Sequence, residues 1–275
     1  MKYILLILVV CYMGRSYAQQ ESLIRLNHLM LVVDSAAYAS LCDMQSEIWY
    51  SDQKKLKYWE GLYIIGENNY LEIFHQNSMK EETLEVGENW TCYASMKSGH
   101  FASLTYDSAY IQFDENDYFK TLSCELNDEL SPFQVWEMNQ LQYETWTKKE
   151  FEEGMTFEPF DYNSQAESDS SRNYLFDDLV GVTYTIPSAD SDRAIAFFKA
   201  VGYSVIERAT DTISFDNGLE RITLIFKDKI NTVLINSLEL RLKRPLKKEV
   251  FQVGLIKMLV EGNTMVWSFD EAADQ

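Results

Sequence analysis

Apolar residues along this chain fall into short runs, and one pattern recurs: a strand-like run stops at Asp or Ser and gives way to helical spacing. From Leu26 to Val33 every residue except Asn27 and His28 is apolar, and Asp34-Ser35 follows as a helix N-cap signal ahead of AAYASLCDMQSEIW. Beyond the charged stretch SDQKKLK come WEGLYIIG, a turn at Glu67-Asn68-Asn69, and YLEIFHQ, which read as two tightly joined strands. Residues 24 to 76 are therefore expected to form a β-α-β-β unit, with a further short strand around Leu56 to Tyr58.

The stretch GHFASLTYDSAY, residues 99 to 110, can be laid over NHLMLVVDSAAY and predicts a second strand-to-helix opening. PFQVWEMNQ reads as a strand and LQYETWTKKEFEE as a helix. A polar stretch at 161 to 173 is the best linker candidate. After it LVGVTYTIP predicts a strand, SADSDRAIAFFKAVG a capped helix closed by Gly202, and YSVIER, TISFD, RITLIF and SLELRLKRP further strands. VEGNTMVWSFD predicts a last hairpin turning at Gly262-Asn263.

The first residues change the picture of the mature chain. MKYILLILVVCYMGRSYAQQ has one early Lys, an apolar stretch and small residues ending at Ala18, the pattern of a secretory signal peptide, so the protein is expected to be exported to the periplasm or the exterior. That apolar stretch is shorter than the roughly 20 residues a spanning helix needs. No later segment is long enough, so no transmembrane segment is expected. Cys11 follows Val10, where lipid attachment would call for a small residue.

Formal charge is -19, and it moves to -21 once Lys2 and Arg15 leave with residues 1 to 18. Nucleic acid is a poor partner for such a surface. The mature chain keeps Cys42, Cys92 and Cys124, so one disulfide at most can form, and three separate thiols are the alternative. GxSxG, HExxH, Walker and GxGxxG patterns are all missing from the sequence.

The repeated unit order, together with NHLMLVVDS, YLEIF and VGVTYTIPSADSDRAIAFFKAVGYSV, resembles the vicinal oxygen chelate superfamily of glyoxalases, bleomycin-resistance proteins and extradiol dioxygenases. The whole mature chain also looks like a group of uncharacterised bacterial proteins related to it. The resemblance implies an α+β fold of repeated βαβββ modules whose curved mixed sheets form a partly open, barrel-like cavity. It divides the chain into a signal peptide at 1–18, paired modules at 19–160, a linker at 161–173 and a C-terminal module at 174–275.

Strand alternation sorts the candidate site residues by face. His28 shares a face with Leu26, Met30 and Val32, and Glu72 with Tyr70 and Phe74, while His75 lies with Leu71 and Ile73. His100 goes with Ala102, Leu104 and Tyr106, and Glu137 with Phe133 and Val135. By resemblance His28, Glu72, His100 and Glu137 stand at the superfamily's four metal-lining positions, a set suited to a divalent metal such as Zn, Fe, Ni or Mn. Glu72 and Glu137 are then the candidate catalytic bases. The third unit offers Gly181 where the first has His28, and Glu239 falls on the polar face of its strand.

A core histidine with satisfied nitrogens is the alternative for His28, and Trp136, Tyr143 and Trp146 are candidates for either a pocket wall or core packing. Three functions stay open: a module that binds a small molecule in a sheet-lined cavity, a metal-dependent lyase, isomerase or dioxygenase acting on vicinal oxygens, and a scaffold without a ligand. We rank binding module or scaffold ahead of enzyme because the third unit lacks the histidine.

Overall fold

The computed structural model describes residues 23–44, 50–55, 57–124, 126, 132–162 and 175–269. The expected signal peptide, Leu56 and positions 163–173 of the expected linker lie outside the described residues. Strands dominate, and they form two mixed sheets of eight and six strands, neither closed into a barrel.

The first sheet holds β1 (Ile24–Val33), β2 (Tyr50–Lys55), β3 (Glu60–Ile65), β4 (Tyr70–His75), β5 (Asn89–Ser95), β6 (Ile111–Glu115), β7 (Phe119–Cys124) and β8 (Phe133–Met138). Its order, β2-β3-β4-β1-β5-β8-β7-β6, is two four-strand units placed edge to edge. In each unit the first strand runs parallel to the last, β1 to β4 and β5 to β8, and the units meet where β1 and β5 pair antiparallel. Helix α1 (Ser35–Asp43) crosses over in the first unit; Asp34 caps it by accepting from the N–H groups of Ala36 and Ala37.

The second sheet repeats the plan with β9 (Phe176–Pro187), helix α3 (Ser191–Ala200), β10 (Ser204–Arg208), β11 (Thr212–Asp216) and β12 (Arg221–Lys227). A long hairpin of β13 (Leu234–Val253) and β14 (Ile256–Phe269) then pairs with β9, the place that β5 takes beside β1. Between them, α2 (Gln140–Thr147) follows β8.

Helices α1 and α3 contribute to one core shared by both sheets. Phe197 and Phe198 of α3 pack on Tyr93 and Phe133 of the first sheet, and Phe198 also meets Phe215 of the second. Two buried aromatic rings on one helix thus join the apolar faces of both sheets. Polar contacts lock one end of the interface. Asn69 Nδ2 donates to the Leu179 carbonyl and its Oδ1 accepts from the Leu179 N–H, while Asn68 donates to Asp178 through both its backbone and its side chain.

Four local expectations change. The second unit opens with β5 at Asn89–Ser95, not with a strand through His100: Gly99 adopts φ +75° and Phe101–Ser103 form one 3-10 turn. The Asp107-Ser108 pair starts no helix, because the Asp107 carboxylate accepts from the Ala109 N–H in a turn that leads into β6. The extra strand of the first unit is Tyr50–Lys55, earlier than expected. Gly262 and Asn263 sit inside a continuous β14, opposite a register shift in β13, and the hairpin turns instead at Gly254, φ +57°, where a side chain would strike Ala37 and Asp34.

A candidate site on the outer face of the eight-stranded sheet

Residues directly opposite on neighbouring strands point to the same side of a sheet. His28 stands opposite Tyr70 on β4 and Cys92 on β5, Cys92 stands opposite Gln134 on β8, and Glu72 stands opposite Tyr63 on β3. Trp136, two residues beyond Gln134, shares that side, and its ring meets the His28 ring edge-on at 5.4 Å. These side chains lie on the outer face, turned away from the second sheet. The intervening Leu71, Ile73, Tyr93, Phe133 and Val135 belong to the core between the sheets.

Glu137 follows the parity of Phe133 and Val135 and so points away from His28 and Glu72. Its fully buried carboxylate accepts from the N–H groups of Gly99 and Phe101 at 3.1 and 2.9 Å and from Lys120 Nζ at 3.1 Å. Three donors hold it as a bracket for the 97–101 turn. His100 sits in that turn, half-buried, with Nδ1 3.2 Å from Ser103 Oγ. Burial lowers its pKa, and the nearby Glu137 charge opposes the shift.

The structure thus puts His28 and Glu72 on one face of the sheet and His100 close to Glu137 on the other. Among the described residues no group of three or more His, Cys, Asp or Glu side chains is placed to hold a metal ion. The four expected ligands therefore do not fit one metal centre, and the Glu137 carboxylate is engaged by three donors in its turn. Parity within each strand was readable, but which face of the sheet each parity meets depends on the register between β5 and β8.

His28 is buried, stacked on Tyr70 at 4.9 Å, with Nδ1 2.8 Å from Asn27 Oδ1. The Asn27 oxygen accepts, so the Nδ1 proton lies between them. Burial lowers the pKa of the ring to about 3, and it is neutral at ordinary pH. A strand irregularity between Leu26 and His28 sets this pair side by side.

Glu72 is the polar residue that remains open to chemistry. Protein surrounds it closely enough that burial raises its carboxyl to about 7, the opposing influence being a hydrogen bond from Tyr63. Its residue nonetheless keeps partial contact with solvent, whereas Tyr63, Tyr70 and Cys92 around it are buried. Glu72 is thus a partly exposed acid set among buried neighbours on this face. Tyr63 was readable from the turn: a four-residue connection at Gly66 to Asn69 puts Ile65 opposite Tyr70 and hence Tyr63 opposite Glu72. Cys92 needed the register of β5, which the sequence did not reveal.

The remaining candidates are structural. His75 lies on the other face, its Nε2 3.1 Å from Glu60 and its ring against Tyr38 at 4.7 Å. Tyr143 and Trp146 pack in a cluster with Phe157 and Tyr162 that closes the outer face beside Trp136. None of Cys42, Cys92 and Cys124 forms a disulfide among the described residues. Glu239 is exposed on β13 opposite Gly181. No helix of the described residues is long and apolar enough to cross a membrane.

A family model described as a family of unknown function (DUF5829) matches residues 26–269, and the chain belongs to that family. No curated protein matches the chain. Among solved structures, a hypothetical protein from Staphylococcus aureus is similar at 9% identity and TM-score 0.46, over 84% of this chain and 95% of that one. A Mn(II)-bound glyoxalase from Novosphingobium aromaticivorans is similar at 8% identity and TM-score 0.40, over 87% and 80%. A catechol 2,3-dioxygenase is similar at 9% identity and TM-score 0.41, over 91% and 95%.

Proposed function

We propose that this chain is a small-molecule-binding protein that takes its ligand on the outer face of the eight-stranded sheet, with Glu72 as the polar contact. The observation that supports this reading is Glu72, whose carboxyl is raised to about 7 while the residue keeps partial solvent contact, with the Tyr63 hydroxyl bonded to it and Tyr70 and Trp136 on the same face of the sheet. A strongly perturbed carboxyl set among aromatic side chains marks a functional site more often than a solvated surface acid does. The fitting ligand is flat and carries an O–H or N–H that donates to the carboxylate. Phenol and catechol are suitable probes, with binding followed by NMR shifts of the residues around Glu72. Saturable binding to the natural protein, weakened about ten-fold or more in Glu72→Gln by loss of a charge-assisted hydrogen bond, supports the reading; equal binding to both proteins defeats it.

A second reading is favoured by the same value. A carboxyl that titrates near 7 is matched to proton transfer at neutral pH, so turnover would use Glu72 as base, with Tyr63 stabilising its ionised form. Incubating a probe that has an acidic C–H in deuterated water, and measuring exchange with the natural protein and with Glu72→Gln, separates binding from turnover. The same proposal takes residues 1–18 as an export signal and residues 19–160 and 174–275 as glyoxalase-like parts.

A further inference from the structure

A cavity of about 250 Å³ opens between the two sheets, on the face of the first sheet opposite to Glu72 and at the other end of the interface from Asn68 and Asn69. Leu31 and Val33 of β1 form one wall, and Ile235, Ile256 and Phe269 of the hairpin form the facing one. Three large apolar side chains at the lining, Val86, Leu234 and Leu255, are 44%, 39% and 49% exposed, so the mouth is apolar as well. Asn89 fixes that mouth: its Nδ2 donates to the carbonyls of Gly87 and Val233, one from each side of the opening. The cleft is therefore preformed.

The polar groups select the head of the occupant. Thr185 Oγ1 donates to Asn236 Oδ1 at 2.6 Å, and both residues line the cavity. With its Oδ1 taken by Thr185, Asn236 offers a ligand the two N–H donors of its Nδ2. Asp34, also in the lining, has its Oδ1 committed to the cap of α1, and Lys227 lines the cavity too, so the wall carries one side chain of each sign. With a formal charge of -19 on the whole chain, an anionic ligand is repelled at long range, and the oppositely charged Asp34 and Lys227 give the wall no net attraction to offset this.

We infer that this cleft binds an uncharged, mainly aliphatic molecule carrying one acceptor oxygen, such as a ketone, ester or lactone, held by Asn236. An apolar cavity of roughly 150 Å³ is enough for benzene, so this larger one suits roughly ten non-hydrogen atoms by proportion. The site is separate from the face that carries Glu72, and each can fail without the other.

The test uses 2-nonanone and, as an anion of the same size, octanoate, each titrated into the full-length protein and followed by NMR shifts of the Leu31, Val33 and Ile256 methyl groups. We expect saturable one-to-one binding of the ketone, about ten-fold weaker binding of octanoate because its charge loses hydration, and unchanged ketone binding in Glu72→Gln. Asn236→Leu weakens the ketone about five-fold, the loss of one neutral hydrogen bond. Val33→Trp fills the cavity and abolishes binding; because Val33 is buried, Leu234→Trp at the exposed rim is the second blocking variant and also abolishes it. No saturable shift, shifts that persist in Leu234→Trp, or cleft shifts produced by raising protein concentration alone, which would mean that a second copy covers the opening, each overturn the inference.

Discussion

Tyr63 on β3 stands directly across from Glu72 on β4, and its phenol hydrogen-bonds to the carboxylate. The two residues oppose burial in a defined way: desolvation favours the protonated acid, and the phenol favours the ionised form. Removing the phenol in Tyr63→Phe should therefore raise the Glu72 titration midpoint above its value of about 7. Carboxyl-carbon NMR across pH 4 to 9 measures it, and a midpoint that falls or stays put contradicts the assignment.

Glu220 is a second buried carboxyl raised from 4.5 to about 7, mainly by desolvation. It accepts from Asn217 Nδ2 at 2.6 Å and from the Tyr203 hydroxyl at 3.2 Å, and Asn217 also reaches the Ile24 carbonyl, so this group sits on the seam between the sheets. A raised acid binds its proton more tightly folded than unfolded, so its contribution is full below pH 4.5 and is lost as pH climbs to about 7. Denaturant unfolding should show stability falling between those limits, by on the order of 1 to 3 kcal/mol for this group. In Glu220→Gln the slope should flatten. A stability curve that rises over that window contradicts the account.

The bracket at Glu137 sets a different expectation. Replacing it by Ala leaves the Gly99 and Phe101 N–H groups without their acceptor and Lys120 without its partner, and should cost about 3 kcal/mol in thermal or denaturant unfolding. Lys120→Ala should cost less, because two backbone donors still hold the carboxylate. If Glu137→Ala is neutral, the carboxylate is not holding the turn.

Much of this fold was legible in the sequence because apolar periodicity and caps act locally. Asp34 before Ser35, Gly202 after the FFKAV run and the turn before Tyr70 each mark an element that the structure contains. The misread places share a physical cause: Gly99 and Asp107 accept turn conformations that compete with strand and helix, and Gly262 lies in a strand whose neighbour carries the irregularity. The site was legible only by halves. Alternation put Glu72 with Tyr70, and Glu137 with Phe133, but the side of the sheet that each pair faces is set by long-range pairing between β1, β5 and β8.

The amino-terminal pattern leads to an expectation of its own. Protein recovered from outside the cytoplasm of the producing cell should begin at Gln19, by intact mass and amino-terminal sequencing. An intact Met1 or a lipid on Cys11 contradicts the signal-peptide reading.

The most direct test of the binding proposal is the titration of Glu72 with and without catechol. A ligand that donates to the carboxylate stabilises its ionised form, so the midpoint near 7 should move down by about one unit when the bound state is ten-fold favoured by ionisation. Catechol affinity should rise correspondingly as pH increases from 6 to 8, and the rise should vanish in Glu72→Gln. A free-protein midpoint near 4.5, or a midpoint that catechol leaves unchanged at saturation, contradicts the assignment of Glu72 as the ligand's contact.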